Sequence, residues 1–167
     1  MEILIQPLNS VIYNRNDFDC GEIALNNWLE KTANQHQSKG ISRTFVAVDK
    51  NNPSKILGYY SLSSSEVCTE NFPSSKKLPA RVPIVRLGRL AVALNFQGRG
   101  LGETLLLNAL ERVLILSENI GIFAVVVDAK NTVAAEFYGK YGFALFTDNP
   151  LSMVILLATI GQLKNQS

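Results

Sequence analysis

Six consecutive residues near the middle of the chain have the clearest capacity for chemistry: Gln97, Gly98, Arg99, Gly100, Leu101 and Gly102. They lie between a predicted strand and a predicted helix, where glycines let the backbone turn tightly and approach a ligand. The amide groups at the start of the helix, together with the helix dipole, would form an anion site suited to a pyrophosphate. The pattern predicts a phosphate-binding turn, and the alternative is an ordinary strand-to-helix connection.

Two familiar phosphate-binding motifs do not fit this turn. A P-loop ends in Gly-Lys-Ser or Gly-Lys-Thr, whereas Gly102 is followed by Glu103 and Thr104. The dinucleotide fingerprint needs the spacing GxGxxG, whereas these glycines follow GxGxG and lie past the middle of the chain. The turn therefore argues against a nucleoside triphosphatase and against a dinucleotide-binding enzyme.

The segment around this turn is strongly basic. Between positions 76 and 99 there are six basic residues and no acidic one, on a chain with a net charge of only +2: Lys76, Lys77, Arg81, Arg86, Arg89 and Arg99. A local positive field suits phosphate-rich partners such as RNA. The alternative is that one or two of these residues serve the phosphate ligand and the rest are solvated surface charges.

The elements that must position these residues follow from the periodicity of apolar residues. We predict strands at 2–8, 44–48, 56–67, 84–92, 123–127, 144–146 and 153–158, helices at 20–37, 101–117 and 132–141, and a surface loop at 69–82. Asp17 or Asp19 would cap the first helix and Gly40 would end it. The strand, turn, helix and strand in the middle predict a crossover between parallel strands. The fold class is therefore α/β, with a mixed sheet flanked by helices.

Composition sets further limits. The chain has 167 residues, of which 47% are hydrophobic and 18% are charged, so we expect a single domain over residues 1–167. Two cysteines, Cys20 and Cys68, are too few for a disulfide framework, and with His36 as the only histidine we expect no metal site. The start of the chain does not read as a signal peptide, and its apolar runs are too short for a membrane span. We therefore expect a cytoplasmic protein without a membrane partner.

With these residues the chain resembles the GNAT superfamily of acetyl-CoA-dependent N-acetyltransferases. Residues 97–102 match the family motif Q/R-x-x-G-x-G/A, and Asn131 together with residues 134–143 matches its downstream signature. Residues 18–21, 43–47, 78–79 and 87–92 resemble, more closely, the GNAT toxins of type II toxin–antitoxin pairs. Ala93 departs from that pattern, because such toxins often carry an acidic residue there.

The resemblance implies a GNAT acyl-CoA N-acyltransferase fold, acetyl-CoA as the acetyl donor and a site for each part of the reaction. It implies donor contacts from one strand, the glycine-rich turn and a later helix: Leu90, Ala91, Val92, Gln97, Gly98, Arg99, Gly100, Leu101, Gly102, Glu103, Asn131 and Phe137. Tyr138 falls at the position of the family's catalytic tyrosine. A phenol with a pKa of about 10 stays protonated at neutral pH and can donate a proton to the departing thiolate. The alternative for Tyr138 is a half-buried aromatic that packs beside Phe137.

The resemblance also implies an acceptor and partners. Such toxins acetylate the amino acid of charged tRNA and block translation, their usual antitoxin is a ribbon-helix-helix protein, and they are commonly dimers. RNA contacts would then fall to the basic residues Lys76, Lys77, Arg81, Arg86 and Arg89. The lack of a carboxylate in that segment favours an α-amine, whose pKa of about 8 leaves much of it neutral, although Glu66 could act as a base from a neighbouring strand. The alternatives are an N-acetyltransferase for a small amine, polyamine or protein amine, and a catalytically silent acyl-CoA-binding module.

Overall fold

The computed structural model describes residues 1–9, 12–73 and 77–165. Its strands are β1 (Ile3–Pro7), β2 (Arg43–Asp49), β3 (Asn52–Cys68), β4 (Arg81–Val92), β5 (Ala124–Asp128), β6 (Ala144–Leu145) and β7 (Ser152–Leu156). Its helices are α1 (Ile23–Asn27), α2 (Ala33–Ser38), α3 (Leu101–Leu116), α4 (Thr132–Gly139) and α5 (Leu157–Asn165). A π-helical turn (Trp28–Thr32) joins α1 to α2, and a short 3-10 helix (Leu94–Phe96) follows β4.

The strands form a seven-stranded mixed sheet in the order β1-β2-β3-β4-β5-β7-β6. β2 pairs antiparallel with β1 and β3, and β7 pairs antiparallel with β5 and β6. β4 and β5 are parallel, with Ile84 opposite Ala124 and Leu87 opposite Val127. This parallel pair confirms the predicted crossover, and the whole sheet confirms the predicted mixed α/β fold class.

The chain divides into two compact units, and β3, β4 and α3 each contribute residues to both. Unit 1 comprises Met1–Ser63 and Gly88–Ala109, and unit 2 comprises Ser64–Leu87 and Leu110–Ser167. A single domain over residues 1–167 stays a prediction.

In unit 1, the helical segment 23–38 contributes Trp28, Leu29 and Ala33 to a core that also contains Tyr59 from β3. Gly58 permits a close approach, because a Cβ built there would lie 2.9 Å from the Ala91 carbonyl oxygen and 2.9 Å from a methyl group of Leu105. Real Cβ atoms essentially never come so near, so β3, β4 and α3 can pack this tightly only with glycine at this position.

In unit 2, β5 is buried from Ala124 to Val127, as its continuous apolar sequence predicts for a strand covered on both faces. A second core combines residues of β4, β5 and β7 with Phe72. The Phe72 ring lies 5.2 Å from the Phe146 ring in an edge-to-face arrangement. Across residues 1–9, 12–73 and 77–165, no helix combines the length and the apolar character that crossing a bilayer requires.

Several predicted boundaries were wrong. The first helix begins at Ile23, and neither Asp17 nor Asp19 caps it, because Asp19 instead accepts hydrogen bonds from the Gly21 amide and the Asn26 side chain. Its predicted end is confirmed, since Gly40 takes a left-handed φ of 74° just after α2.

The ends of other elements also differ from the predictions. β3 begins at Asn52, before its predicted start at 56, and β4 begins at Arg81, inside the predicted loop. Pairing with neighbouring strands sets the lengths of both strands, and the local residues alone do not determine it. The predicted last strand, 153–158, ends at Leu156, and its remaining residues begin the unpredicted helix α5. The apolar residues of α5 follow directly on those of β7, so the change of period was hidden in one apolar run.

We expect Gly58→Ala to lower the free energy of unfolding by about 1–3 kcal/mol, because the added methyl group forces a backbone carbonyl to move. Urea denaturation of purified protein measures this change. The matched control is Gly161→Ala in α5, where an added Cβ meets no heavy atom within 4 Å. That variant should be about 0.5–1 kcal/mol more stable than the parent, because alanine favours the helix. Equal stabilities for the two variants would contradict the close packing at Gly58.

Candidate active site

The glycine-rich turn of unit 1 presents uncovered backbone. Gly98 and Gly100 adopt left-handed φ values of 78° and 83°, and a Cβ at either position would have no heavy atom within 4 Å. Glycine is therefore needed for the conformation, and the side-chain positions of both residues face open space. The sixteen-residue helix α3 starts directly afterwards at Leu101, which is buried. The first amides of α3, including those of Gly102 and Glu103, have no partner within the helix and suit a phosphate group.

Gln97 holds this turn in place. Its side-chain amide donates one hydrogen bond to the Cys20 carbonyl at 3.1 Å and another to the Val92 carbonyl at 2.9 Å. Both amide hydrogens are thus used within the protein, which gives Gln97 a positioning role that the sequence did not reveal. Its predicted contact with the acetyl donor stays a prediction. Arg99 is exposed, and its guanidinium lies 4.8 Å from the centre of the Phe96 ring.

Residues 90–92 of β4, which are predicted to contact the acetyl donor, lie beyond the part of β4 that pairs with β5. The pairing of β4 with β5 ends at Leu87 and Val127, whereas β4 itself continues to Val92. Ala91 is buried in the core of unit 1, and Leu90 and Val92 are half-buried. Backbone groups of a strand that has left a ladder can hydrogen-bond an extended ligand instead.

Helix α4 of unit 2 places the candidate proton donor. Asn131 is its N-cap, and the side-chain oxygen accepts a hydrogen bond of 2.9 Å from the Ala134 amide. Tyr138 is 7% exposed, and its ring lies 5.2 Å from the Phe137 ring and 5.5 Å from the Phe143 ring. Burial raises the pKa of Tyr138 to about 12. With this pKa the Tyr138 hydroxyl stays protonated, and can donate a proton, throughout the neutral range.

The basic residues have different surroundings, which the sequence did not show. The Arg81 guanidinium pairs with Glu66 and also donates to the Cys68 sulfur at 3.0 Å. The Arg86 guanidinium pairs with Asp128 at 2.7 Å. Two carboxylates distant in sequence thus offset a segment predicted to be purely positive. Lys77 is exposed, and Lys76 lies outside the described residues.

Arg89 has an aromatic neighbour. Its guanidinium carbon lies 4.3 Å from the centre of the Trp28 ring, so Arg89 is stacked in unit 1 instead of standing free in solvent. Trp28 is a buried core residue, as the sequence predicts, and nothing in its sequence neighbourhood indicated that it would also contact Arg89.

The structure places the predicted residues in two groups. Leu90–Val92 and the turn from Gln97 to Glu103 belong to unit 1 and are close in sequence, whereas Asn131, Phe137 and Tyr138 lie together at α4 in unit 2. Among the described residues, no group of three or more His, Cys, Asp or Glu side chains is arranged to hold a metal ion.

Comparison with known families identifies the family to which the chain belongs. Residues 40–145 match the family model described as the acetyltransferase (GNAT) domain, which is well over half of the chain and includes the glycine-rich turn, Asn131 and Tyr138. The chain belongs to the GNAT acetyltransferases. The predicted family and enzyme class are therefore confirmed, and the turn and α4 both lie within the matched residues.

Its relatives within the GNAT family include toxins. The chain is 34% identical over 142 residues to the tRNA-acetylating toxin of Mycobacterium tuberculosis, covering 84% of each protein. The structure of AtaT complexed with acetyl-methionyl-tRNAfMet matches with a TM-score of 0.90 and 30% identity, covering 98% of this chain and 99% of that one. A tyrosine-to-phenylalanine variant of AtaT, bound to the C-terminus of the antitoxin AtaR and acetyl-CoA, matches with a TM-score of 0.84 and 31% identity, covering 98% and 99%.

The buried tyrosines predict how the GNAT domain responds to alkali. Burial raises the pKa of Tyr138 to about 12 and raises that of Tyr59 as well, whereas an unfolded chain ionises its tyrosines near pH ~10. The folded protein therefore binds more protons above pH ~10, and the free energy of unfolding should fall as the pH rises from there toward 12.

Below pH ~10 this contribution of the tyrosines should be fully present. In Tyr138→Phe, the free energy of unfolding should fall less over this alkaline range than in the parent, by on the order of 2 kcal/mol. Urea denaturation from pH 8 to 11.5, with tyrosinate absorbance followed in parallel, measures both effects. An unchanged pH slope in the variant would show that Tyr138 ionises normally.

Proposed function

We propose that the chain acetylates the α-amine of aminoacyl-tRNA with acetyl-CoA as the donor, and that it is a toxin that blocks translation. The observation that carries this proposal is the buried, protonated Tyr138 in a chain whose similar proteins include a tRNA-acetylating toxin and a complex with acetylated tRNA. An acid retained at this position serves a reaction that releases a thiolate, whereas a silent acyl-CoA-binding module has no use for one.

Donor binding is assigned to backbone groups. The amides at Gly98–Glu103 would hold the pyrophosphate of acetyl-CoA, because they lie at a helix start and the side-chain positions of Gly98 and Gly100 face open space. The backbone of Leu90–Val92 would pair with the pantetheine and donate to the thioester oxygen as charge develops there. Asn131 and Phe137 would contact acetyl-CoA from α4. The side-chain oxygen of Asn131 already caps the helix, so its side-chain NH2 group would donate the hydrogen bond to acetyl-CoA.

Tyr138 supplies the proton in the chemical step. The amine nitrogen attacks the thioester carbonyl carbon, the carbon–sulfur bond breaks, and the Tyr138 hydroxyl gives its proton to the departing sulfur. The amine then loses a proton to water and the tyrosine is reprotonated. An α-amine with a pKa of about 8 needs little help from a base. The carboxylate that could have served, Glu66, is paired with Arg81.

Partners and location follow from the same proposal. A toxin of this kind needs an antitoxin, for which we propose a ribbon-helix-helix protein, and we propose that the toxin acts in the cytoplasm and forms a homodimer. Lys76, Lys77, Arg81, Arg86 and Arg89 are the basic residues proposed from the sequence to contact RNA. The ion pairs at Arg81 and Arg86 weaken the local positive field. They therefore favour a small amine or a protein amine as the second candidate acceptor.

We expect Tyr138→Phe to lower kcat by about 10²- to 10⁴-fold, because the leaving thiolate loses its acid. The affinity for acetyl-CoA should stay within about twofold of the parent, since the turn that binds it is untouched. Transfer of radiolabelled acetyl groups to bulk charged tRNA measures kcat, with polyamines and peptide amines as competing acceptors. Expression of the variant should also relieve growth arrest.

Tyr141→Phe is the matched control for this variant. The Tyr141 ring also contacts Phe137, at 5.2 Å, but it is assigned no proton transfer, so this variant should keep the parent's kcat. Full activity of Tyr138→Phe would overturn its role as the acid. Acetylation of polyamines or peptides in preference to charged tRNA would replace the proposed acceptor.

We expect Gly100→Ala to weaken acetyl-CoA binding by about tenfold or more, because alanine disfavours the left-handed φ of 83° that aims the amides. Isothermal titration calorimetry at ordinary ionic strength measures the dissociation constant. Gly121→Ala is the control, because an added Cβ there also meets no heavy atom within 4 Å and its φ is not left-handed. Equal affinities for the two variants would mean that the donor's pyrophosphate binds elsewhere.

A further inference from the structure

Residues 88–92 of β4 need support from side chains. The ladder with β5 ends at Leu87, so this segment keeps β3 as its strand neighbour, with the Ala93 amide donating to the Leu57 carbonyl at 2.8 Å. A shift of about 1 Å in backbone donors that act on a reacting carbonyl can cost about 10²-fold in rate. Whatever fixes this segment therefore bears directly on the proposed acetyl transfer.

Arg89 is the outer member of a stack of three side chains in unit 1, which are Arg89, Trp28 and Tyr59. Its guanidinium carbon lies 4.3 Å from the centre of the Trp28 ring, and the Trp28 ring stacks on the Tyr59 ring at 5.9 Å with an angle of 11° between their planes. The Tyr59 hydroxyl donates to the Leu25 carbonyl at 2.7 Å. The stack thus links β4 to the π-helical turn, to β3 and to α1.

The surroundings of Arg89 suit a stacked cation better than a phosphate contact. The side chain is half-buried, and burial lowers the pKa of its guanidinium against a smaller opposing effect of Tyr59. A cation–π contact is stronger where the cation is partly removed from water than where it is fully exposed. A guanidinium can also lie flat against an aromatic ring, which the ammonium group of a lysine cannot do. Trp28 is 6% exposed and lies in a π-helical turn, a distortion that proteins often keep at functional sites.

We propose that Arg89 is a positioning residue for acetyl transfer, which holds residues 88–92 of β4 in place by stacking on Trp28 and does not bind RNA. This inference rests on the proposed function, since it concerns the strand that would receive the thioester. It replaces the RNA contact that the sequence suggested for Arg89. The residue acts through Trp28, and the backbone of Leu90–Val92 makes the contact with the donor.

The test compares Arg89→Lys, which keeps the charge, with Arg89→Met, which keeps the length of the side chain. Both should lower kcat for charged tRNA by about tenfold or more, and both should leave the dissociation constant of acetyl-CoA within about twofold. The slope of log KM for tRNA against log salt should not change, whereas the loss of one phosphate contact would reduce it by about 0.7–0.9. Lys50→Met, at an exposed lysine that is assigned neither to the donor site nor to the RNA surface, is the matched control and should keep the parent's kcat.

Trp28 variants separate stacking from general stability. Trp28→Leu should reproduce the loss of kcat seen with Arg89→Met, and the double variant should be no worse than either single one, because both remove one interaction. Trp28→Phe keeps an aromatic face and should restore part of the activity lost in Trp28→Leu. All rates are measured well below each variant's melting temperature. Additive losses in the double variant would overturn the proposed route through Trp28.

Two results would contradict the proposal by showing that Arg89 contacts RNA. They are full kcat in Arg89→Lys and a reduced salt slope in Arg89→Met, which together would place the guanidinium on a phosphate.

The stack can also be measured by fluorescence, because Trp28 is the only tryptophan in the chain. Its emission should change in Arg89→Met and not in Lys50→Met, and unchanged emission in Arg89→Met would overturn the stack. If the parent transfers no acetyl group to tRNA, the proposed function fails, while the emission still tests the stack.

Discussion

The site depends on one constraint, which is that the first amides of a helix have no acceptor within that helix. In α3 these amides follow two glycines in the left-handed region, whose side-chain positions face open space. Their free donors would be costly if the turn were buried, yet they become useful where an anion can reach them. The buried Leu101 and the two hydrogen bonds of Gln97 fix the direction in which the amides face.

The need to hold these amides in one orientation explains why the segments beside the turn are joined by many hydrogen bonds. Asp19 accepts hydrogen bonds from the Gly21 amide and from Asn26, and the Cys20 amide donates to the Asn26 side chain. Gln97 and the Leu94 amide then join this loop to the end of β4, through the carbonyls of Cys20 and Asp19. A turn that binds through backbone atoms cannot be adjusted by side-chain rotation, so its precision has to come from the segments around it.

Features set by nearby residues could be predicted from the sequence, and features set by distant ones could not. The turn at Gly98 and Gly100, the helix that follows and the buried run of β5 each depend on neighbours within a few positions, and all three were predicted. The pairs Arg81–Glu66 and Arg86–Asp128 join residues 15 and 42 positions apart, so a count of charges along one segment missed them. The π-helical turn at Trp28–Thr32 has no pattern of its own, because it departs from the helix by a single added residue.

The three arginines of β4 show why composition is a weak guide to a binding surface. Arg81 and Arg86 meet carboxylates with solvent-exposed side chains, an arrangement that contributes little to stability but cancels much of the local field. Arg89, a few residues along the same strand, contacts an indole ring and forms no ion pair with a carboxylate of the residues that the structure describes. A guanidinium can thus serve as a surface charge, as half of an ion pair or as a flat packing group. Only the neighbours brought by the fold decide among these, so the proposed chemistry of the strand follows from its packing.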